Sequence, residues 1–357
     1  MDAGPHRGDL PEVVGAWFAG RGWRPRPHQL AMLAKARAGN SVLLTAPTGG
    51  GKTLAGFLPA LRELIEAGTK RPGGLHTLYL SPLKALAVDV RRNLEQPIAE
   101  MALPIRAESR TGDTPQSRRQ RQRRHPPDLL LTTPEQLALL LSYVDAPRYF
   151  RDLRFVVVDE LHALAGSKRG DLLALGLARL SALAPTACRI GLSATVADRA
   201  ELADFLAGGG SVDVVDGGPG PRPEIEVLTA SARVPWAGHM TLHALADVYR
   251  AIRANGTSLV FVNTRAQAEV VFQHLWRLND DNLAIALHHG SLSVEQRRKV
   301  EAAMVRGDLR AVVCTSTLDL GIDWGAVDLV IQVGAPKGLS RLVQRIGRAN
   351  HRLDEPS

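Results

Sequence analysis

Three consecutive glycines, a lysine and a threonine close the segment APTGGGKT, residues 46–53, where an apolar stretch gives way to a helical pattern. Glycines let successive backbone N–H groups turn toward one anion, and the amino end of the next helix adds its positive dipole end. The lysine of such a loop reaches the β- and γ-phosphates of a nucleotide, and the threonine holds Mg²⁺. Ala46 departs from the general pattern, which begins with glycine. The predicted phosphate-binding residues are Thr48, Gly49, Gly50, Gly51, Lys52 and Thr53.

Two carboxylates follow the apolar stretch FVVV, at Asp159 and Glu160. In an open α/β sheet, ligands bind at the carboxyl ends of the strands. There Asp159 is suited to hold Mg²⁺ through its water shell, and Glu160 to orient or deprotonate an attacking water. The pair alone could equally be a solvated turn. Together with the phosphate-binding loop it predicts an ATP site, with ATP and Mg²⁺ as cofactors.

The phosphate-binding loop and the carboxylate pair must be positioned by the surrounding elements. In the sequence, apolar stretches of strand length alternate with helical patterns. Such strands indicate an α/β fold with parallel sheets that carry helices on both faces. Glycine and proline crowd together at residues 207–227, so we place a domain boundary there and predict domains 1–216 and 217–357. The abrupt end of the second domain suggests that it is truncated. The nine predicted strands fall within residues 41–45, 75–81, 128–133, 154–160, 188–195, 257–264, 283–289, 310–317 and 328–334.

Composition narrows the class of protein. With 45% hydrophobic and 22% charged residues, the chain of 357 residues can bury sizeable cores. Its apolar runs are far shorter than the roughly 18 residues of a membrane helix, and its start does not resemble a signal peptide, so a cytoplasmic location is expected. Cys188 and Cys314 stand far apart, which argues against disulfides and structural zinc. The net charge of +8 fits an anionic polymer as partner, or reflects composition alone.

The order of motifs along the chain resembles that of superfamily 2 helicases, in particular the large helicase-related (Lhr) proteins and the bacterial ligase-associated DEXH-box helicases. That resemblance implies two RecA-like domains, ATP in the cleft between them and a nucleic-acid strand across both. It also implies 3′-to-5′ movement and DNA repair beside a ligase. The matching segments are APTGGGKT, SPLKAL, TTPEQL, DELH, SAT, LVFVNTR, LHHGSLS, CTSTLDLGID and QRIGRANHR, which span residues 46–352.

The resemblance assigns further residues to hydrolysis. Gln344, Arg345 and Arg348 match the motif whose arginines act as fingers on the γ-phosphate. The position of the second finger is His351 here, so Arg352, one residue further on, is the substitute candidate. Gly321 and Asp323 match residues that face the nucleotide, and Gln29 matches a glutamine that reads adenine. Ser193, Ala194 and Thr195 match the motif that couples hydrolysis to motion, although the hydroxyls could equally cap a helix.

Residues that follow the predicted strands are suited to bind phosphates without reading bases. The partner is therefore single-stranded or partly duplex nucleic acid, with DNA favoured and RNA or a hybrid allowed, and a monomer is expected. The arginine-rich segment RRQRQRR near residue 120 is either part of that surface or a solvated helix. The predicted nucleic-acid contacts are Lys84, Arg110, Thr111, Gly112, Thr133, Pro134, Arg265, His289, Gly290, Thr315 and Ser316.

Three motor functions remain open. The first is an ATP-dependent helicase or translocase. The second is an ATP-gated clamp or remodeller without strand separation, because the 20 residues between Asp323 and Gln344 leave no room for a long separating hairpin. A peptide-translocating motor is disfavoured by the match of SPLKAL and TTPEQL to nucleic-acid motifs. A nuclease is disfavoured because no second carboxylate cluster stands apart from the ATP site.

Overall fold

The chain divides into two units, residues Met1–Pro219 and Gly220–Ser357. This boundary lies within a few residues of the one predicted from composition. The computed structural model describes residues 10–47, 49–70, 73–82, 84–194, 198–218, 222–228, 242–319, 327–336 and 338–349.

A seven-stranded parallel sheet forms the centre of the first unit, with the strand order β3-β4-β2-β5-β6-β1-β7. Because every pairing is parallel, all strands end at the same edge of the sheet. The strands are β1 Ser41–Thr45, β2 Thr77–Leu80, β3 Ala107–Arg110, β4 Leu129–Thr132, β5 Phe155–Val158, β6 Cys188–Ser193 and β7 Val212–Asp216.

Helices cover both faces of this sheet and build two apolar cores. Successive strand residues point to opposite faces, so Val42 and Leu44 enter one core while Leu43 enters the other. The helices are α1 Glu12–Gly20, α2 Pro27–Arg37, α3 Lys52–Ala67, α4 Lys84–Glu100, α5 Gln116–Arg124, α6 Pro134–Leu141, α7 Ala146–Phe150, α8 Leu161–Leu164, α9 Lys168–Leu183 and α10 Arg199–Ala207.

The second unit contains a four-stranded parallel sheet with the order β11-β8-β10-β9. Its central strands β8 and β10 are buried along their whole length, as expected of strands covered on both faces. The strands are β8 Ser258–Phe261, β9 Ile285–His288, β10 Ala311–Cys314 and β11 Leu329–Gln332. The helices are α11 Leu245–Ala254, α12 Arg265–Arg277, α13 Val294–Val305 and α14 Leu339–Ile346.

The prediction of two parallel-sheet α/β domains is confirmed, and each of the nine predicted stretches contains a strand. The prediction missed β3 and β7, the two edge strands of the first sheet. Their sequences, AESR and VDVVD, contain three and two polar residues, and only two residues of β3 and one of β7 are buried, so neither reads as a continuous apolar run. None of the helices in the described part of the chain has the length and apolar character that a bilayer crossing demands.

Candidate nucleotide and nucleic-acid site

The phosphate-binding loop leaves β1 at the carboxyl edge and enters α3, which begins at Lys52 as predicted. Gly49 and Gly51 have φ of 76° and 70°, a left-handed conformation that glycine adopts without a steric penalty. The ammonium of Lys52 donates to the carbonyls of Ala46 at 3.0 Å and Pro47 at 2.9 Å. The loop thus curls around the position of the lysine head group, with the amino end of a 16-residue helix behind it.

Two side chains of α2 hold this loop from behind. A ring nitrogen of His28 lies 2.8 Å from the carbonyl of Gly50, and the amide of Gln29 donates to the carbonyl of Gly51 at 3.1 Å. The amide oxygen of Gln29 accepts from the backbone N–H of Arg26 at 2.9 Å. Gln29 therefore joins the turn before α2 to the phosphate-binding loop, and its reading of adenine stays a prediction.

Asp159 follows β5 and is buried at the same edge. One carboxylate oxygen accepts from the hydroxyl of Tyr79 on the adjacent strand β2, and the other accepts from the backbone N–H of Glu160 at 2.8 Å. Burial, reinforced by the Glu160 carboxylate, raises the pKa of Asp159 to about 6, whereas Tyr79 and Lys52 act in the opposite direction. Each oxygen keeps a second lone pair. With the hydroxyl of Thr53 in the first turn of α3, this donor set suits Mg²⁺, which prefers oxygen ligands.

Glu160 adopts a left-handed backbone conformation, with φ 48° and ψ 44°, at the start of the short helix α8. This conformation costs a non-glycine residue about 1–2 kcal/mol. It turns the chain sharply after the buried strand, so that Glu160 is partly exposed while its neighbour Asp159 is not. Two adjacent carboxylates thereby occupy different environments, as a metal-holding and a water-activating group require.

His162 links these carboxylates to the end of β6. Its Nδ1 accepts from the backbone N–H of Ala194 at 3.3 Å and lies 3.0 Å from the hydroxyl of Ser193. The proton of the neutral ring is therefore on Nε2, which lies 3.5 Å from a carboxylate oxygen of Glu160. Burial, with a smaller contribution from Lys52, lowers the pKa of His162 to about 4, so the ring is neutral at neutral pH. Ser193 and Ala194 thus contact the catalytic candidates through a histidine.

Strand order divides the carboxyl edge of the first unit into two halves. The neighbours β5, β6 and β1 carry Asp159, Ser193 and the phosphate-binding loop, whereas β3, β4 and β2 carry the predicted nucleic-acid residues. The backbone N–H of Asp159 donates to the carbonyl of Leu80 at 2.9 Å, which joins the halves where β2 meets β5. A nucleotide and a strand can therefore bind side by side along one edge.

Arg110, at the end of β3, is a correction to the predicted nucleic-acid contacts. Its side chain is completely buried, and its guanidinium donates to the carbonyl of Arg119 at 3.3 Å and to the hydroxyl of Tyr143 at 3.4 Å. A phosphate outside the protein cannot reach it in this conformation. Arg110 is a core residue that fastens α5 to the sheet.

The other predicted contacts in this half lie in loops at the edge. Arg119 of α5 donates to the carbonyls of Thr111 at 3.1 Å and Gly112 at 2.5 Å, which fixes the loop after β3. Gly112 is exposed, whereas Thr111 is buried. Thr133 and Pro134 begin α6 directly after β4, where the positive end of the helix dipole suits a phosphate, although both residues are buried.

Arg169, on α9, connects two of these loops. Its guanidinium donates to both carboxylate oxygens of Glu135 on α6, at 2.6 and 3.1 Å, and to the carbonyl of Pro82 after β2. A bidentate arginine–carboxylate pair fixes orientation as well as distance. Arg169 therefore sets the spacing between the loop of SPLKAL and the helix of TTPEQL.

The second unit places its predicted contacts in a corresponding row. Arg265 begins α12 after β8, and its exposed guanidinium donates to the hydroxyl of Ser291 at 2.8 Å, beside Gly290. Thr315 and Ser316 follow β10, and Ser316 is exposed. These residues lie at the carboxyl ends of neighbouring strands, which is consistent with one phosphate-binding edge.

His289 is a second correction. Its side chain is buried, with Nε2 2.8 Å from a carboxylate oxygen of Glu269 and Nδ1 accepting from the backbone N–H of Ser291 at 3.2 Å. Both ring nitrogens are occupied within the unit. His289 therefore shapes the loop around Gly290, and the expected direct phosphate contact is not what the structure shows.

Asp319 organises the arginine-rich helix α14. Its carboxylate accepts from Nε of Arg345 at 2.7 Å and lies 3.2 Å from Nε of Arg341, and its carbonyl accepts from Arg348 at 3.1 Å. The guanidinium of Arg345 also donates to Gln332 and stacks over Phe261, 4.6 Å from the ring centroid.

Arg345 is the third correction, because it is 1% exposed and its guanidinium is bonded inside the second unit. It cannot act as a finger without breaking these bonds. Arg348 is 5% exposed and Gln344 is half-buried, and their contact with a nucleotide stays a prediction. The predicted residues that lie outside the described part of the chain are Thr48, Thr195, Gly321, Asp323, Arg352 and the side chain of Lys84.

Four residues with clear structural roles at the site were not predicted: Tyr79, His162, Arg169 and Asp319. His162 and Asp319 lie inside recognised motifs, DELH and TSTLDLGID, so their proximity to the site was available from the sequence. The partners of Tyr79 and Arg169 come from other strands and helices, and no local pattern indicates them.

Comparison with known proteins agrees with these motifs. A DEAD/DEAH box helicase model matches residues 26–203, and a helicase conserved C-terminal domain model matches residues 241–352. The ATP-dependent helicase Lhr-Core protein 2 of Thermococcus barophilus is 40% identical over 98% of this chain, and the ATP-dependent helicase Lhr-Core of Methanocaldococcus jannaschii is 37% identical over 98%. The alignments cover 43% of each relative, so the chain spans less than half of their length.

A solved structure is similar as well. The Mycobacterium smegmatis helicase Lhr bound to single-stranded DNA and AMP-PNP is 40% identical, with a TM-score of 0.84, over 98% of this chain and 47% of that one. The family resemblance and the RecA-like fold are thereby confirmed. The chain belongs to the DEAD/DEAH box helicases, and within them it is of the Lhr type.

Proposed function

We propose that this chain is the ATP-hydrolysing motor of a helicase that moves along single-stranded nucleic acid. The observation that carries the proposal is the edge of the first unit, where the phosphate-binding loop and Asp159 lie beside the loops that match nucleic-acid motifs. Similarity to a helicase solved with single-stranded DNA and AMP-PNP supports the same assignment.

Each candidate has a defined task in this proposal. The loop amides and Lys52 bind the β- and γ-phosphates, and Thr53 and Asp159 hold Mg²⁺, which would neutralise charge on the phosphates. Glu160 orients or deprotonates the attacking water. The second unit supplies Arg348, with Arg352 as the substitute for the second finger. Hydrolysis then depends on residues of both units.

Some finer assignments rest on the Lhr resemblance: we propose DNA as the favoured track, 3′-to-5′ movement, a role in DNA repair and association with a DNA ligase. We also propose a cytoplasmic location, from the short apolar runs of the sequence, and a monomeric state. RNA as the track would require contacts to 2′-hydroxyls.

A clamp or remodeller that does not separate strands is the second candidate. Only six residues join β11 to α14, which is too short a connection for a strand-separating hairpin at that place. A strand-displacement assay on a duplex with a 3′ single-stranded tail, run beside the hydrolysis assay, distinguishes the two functions.

The primary test is steady-state ATP hydrolysis without polymer, with single-stranded DNA and with single-stranded RNA. We expect stimulation by at least one polymer, and a Glu160→Gln variant that binds ATP but hydrolyses it about 10²–10⁴-fold more slowly. Glu201→Gln, at an exposed glutamate of α10, is the matched control and should keep the wild-type rate. A folded, ATP-binding chain whose hydrolysis responds to neither polymer would contradict the proposal.

A further inference from the structure

A basic cleft lies at the amino edge of the first sheet, opposite the edge that carries the phosphate-binding loop. Its volume is about 570 Å³. Gly74 precedes β2, Pro126 precedes β4 and Asp152 precedes β5, which places the cleft where these parallel strands begin. It is therefore separate from the nucleotide site and from the predicted path of the strand.

Four arginines line this cleft: Arg123, Arg124, Arg148 and Arg151. Other arginines of α5 have partners within the protein, since Arg118 and Arg121 pair with Glu108 at 3.4 and 2.6 Å. The arginine-rich segment thus has two parts, one that fastens α5 to the sheet and one that faces the cleft.

The charges in the cleft are only partly neutralised. Arg123 pairs with Asp145 at 2.8 Å and stacks on Tyr143, and Arg151 lies 3.5 Å from Asp152. Arg124 and Arg148 are exposed, and neither forms an ion pair with any residue in the described ranges. The lining therefore carries four positive charges against the two negative charges of its aspartates, an excess that favours an anion.

The lining also indicates which anion. Guanidinium groups match phosphate oxygens in a bidentate manner, whereas recognition of a base needs an accessible aromatic face or hydrogen-bonding edges. The one aromatic side chain among the lining residues, Tyr149, is 5% exposed and thus offers no face for stacking. Its buried hydroxyl has no hydrogen-bond partner among the described residues. The arginines of the cleft are thus suited to bind phosphate groups, and the lining offers no aromatic face on which a base could stack.

We propose that this cleft binds the phosphodiester backbone of a nucleic-acid segment other than the strand held at the carboxyl edge. The inference rests on the proposed function, because it assigns a second contact to the same nucleic-acid partner. One short strand cannot occupy both opposite edges of the sheet, so the cleft contacts a duplex arm or a distant part of a long strand. Its contribution is electrostatic and falls with ionic strength.

The test compares two DNAs on the 357-residue chain over a series of salt concentrations. One is a single strand of about ten nucleotides, long enough for one site, and the other is a fork with a duplex arm of about 20 base pairs. The variant is Arg124→Glu/Arg148→Glu, with Arg124→Gln/Arg148→Gln as a milder second variant. Arg179→Glu/Arg277→Glu, at exposed arginines of α9 and α12 outside the cleft, is the control with the same change in net charge.

We expect the charge-reversal variant to lose about tenfold in affinity for the fork and to lower the salt slope by about 2, one unit for each lost phosphate contact. Binding of the short strand, and the ATP hydrolysis that it stimulates, should equal those of the control. Equal fork affinity and equal salt slope in variant and control would overturn the inference, as would an equal loss of short-strand binding.

Two further outcomes distinguish this inference from a failure of the proposed function and from binding of a small phosphate ligand. If the wild-type chain binds neither DNA, the proposed function itself fails. If the variants lose binding of inorganic tripolyphosphate, measured with saturating AMP-PNP, but keep their fork affinity, the cleft holds a small phosphate ligand and the inference is overturned.

Discussion

The carboxylate of Asp319 receives the Nε–H of Arg345 at 2.7 Å, and both side chains are almost completely buried. Removing one member of a buried pair leaves an uncompensated charge, which costs about 3–5 kcal/mol. We therefore expect Asp319→Ala to lower the free energy of unfolding of the second unit by about that amount, read from hydrogen exchange of β10 and β11 against urea concentration.

The exposed pair Arg306–Asp308 provides the control, because its N–O distance is also 2.7 Å. Asp308→Ala should change the free energy of unfolding by less than about 1 kcal/mol, since water screens exposed pairs. If the two variants lost similar amounts, the central place of Asp319 in the second unit would be refuted.

Alanine variants of Arg110 and Arg265 distinguish a buried arginine from one that is free to contact phosphate. Arg110→Ala should destabilise the first unit by about 2 kcal/mol or more through the cavity it leaves, with an unchanged salt slope for strand binding. Arg265→Ala removes an exposed guanidinium, so it should lower the salt slope by about 1 and leave the stability within about 0.5 kcal/mol. The opposite pattern would return Arg110 to the nucleic-acid surface.

Arg169→Ala should weaken the response of hydrolysis to nucleic acid. Without its bonds to Glu135 and Pro82, the spacing of two contact loops is no longer fixed. We expect the DNA concentration for half-maximal stimulation to rise by up to about fivefold, which corresponds to the roughly 1 kcal/mol of an exposed pair, while hydrolysis without DNA is unchanged. Arg154→Ala, which removes a comparable arginine–glutamate pair with Glu63 at 2.7 Å, should leave that concentration unchanged.

The lowered pKa of His162 leads us to expect that the free energy of unfolding depends on pH. Its pKa of about 4 in the folded state lies below the usual value near 6.5, so the unfolded chain binds the proton more tightly. The free energy of unfolding should therefore fall as pH drops from about 6.5 to 4, with a contribution of up to about 3 kcal/mol from this residue. The raised pKa of Asp159 acts in the opposite direction over part of that range.

Comparison with His162→Gln isolates the histidine, because glutamine can still accept from the Ala194 N–H but does not titrate. Urea unfolding at a series of pH values should give a flatter dependence for the variant below pH 6.5. Parallel curves for the two proteins would show that His162 does not carry this proton.

Local patterns were sufficient for nine of the eleven strands in the described part of the chain, and for the position of two elements of the candidate nucleotide site. The phosphate-binding loop and Asp159 each follow a continuous apolar strand, and strand direction alone brings them to one edge. The edge strands β3 and β7 were not predicted because five of their nine residues are polar.

Burial was the property that the motifs did not reveal. Arg110, His289 and Arg345 carry groups that bind phosphate elsewhere, but each forms bonds to residues far along the chain, such as Tyr143, Glu269 and Asp319. Whether such a side chain faces solvent depends on those partners, which no window of sequence around the motif contains.

The left-handed backbone conformation of Glu160, the candidate catalytic residue, is unfavourable for a non-glycine residue. Glycine or asparagine would adopt these angles at lower energy, so substitution here would relieve strain while removing the carboxylate. A library of variants selected only for heat resistance should accumulate those two residues at position 160 and yield well-folded, inert proteins. Selection for heat resistance therefore needs an assay of ATP hydrolysis beside it, because at position 160 the more stable variants would lack the proposed catalytic carboxylate.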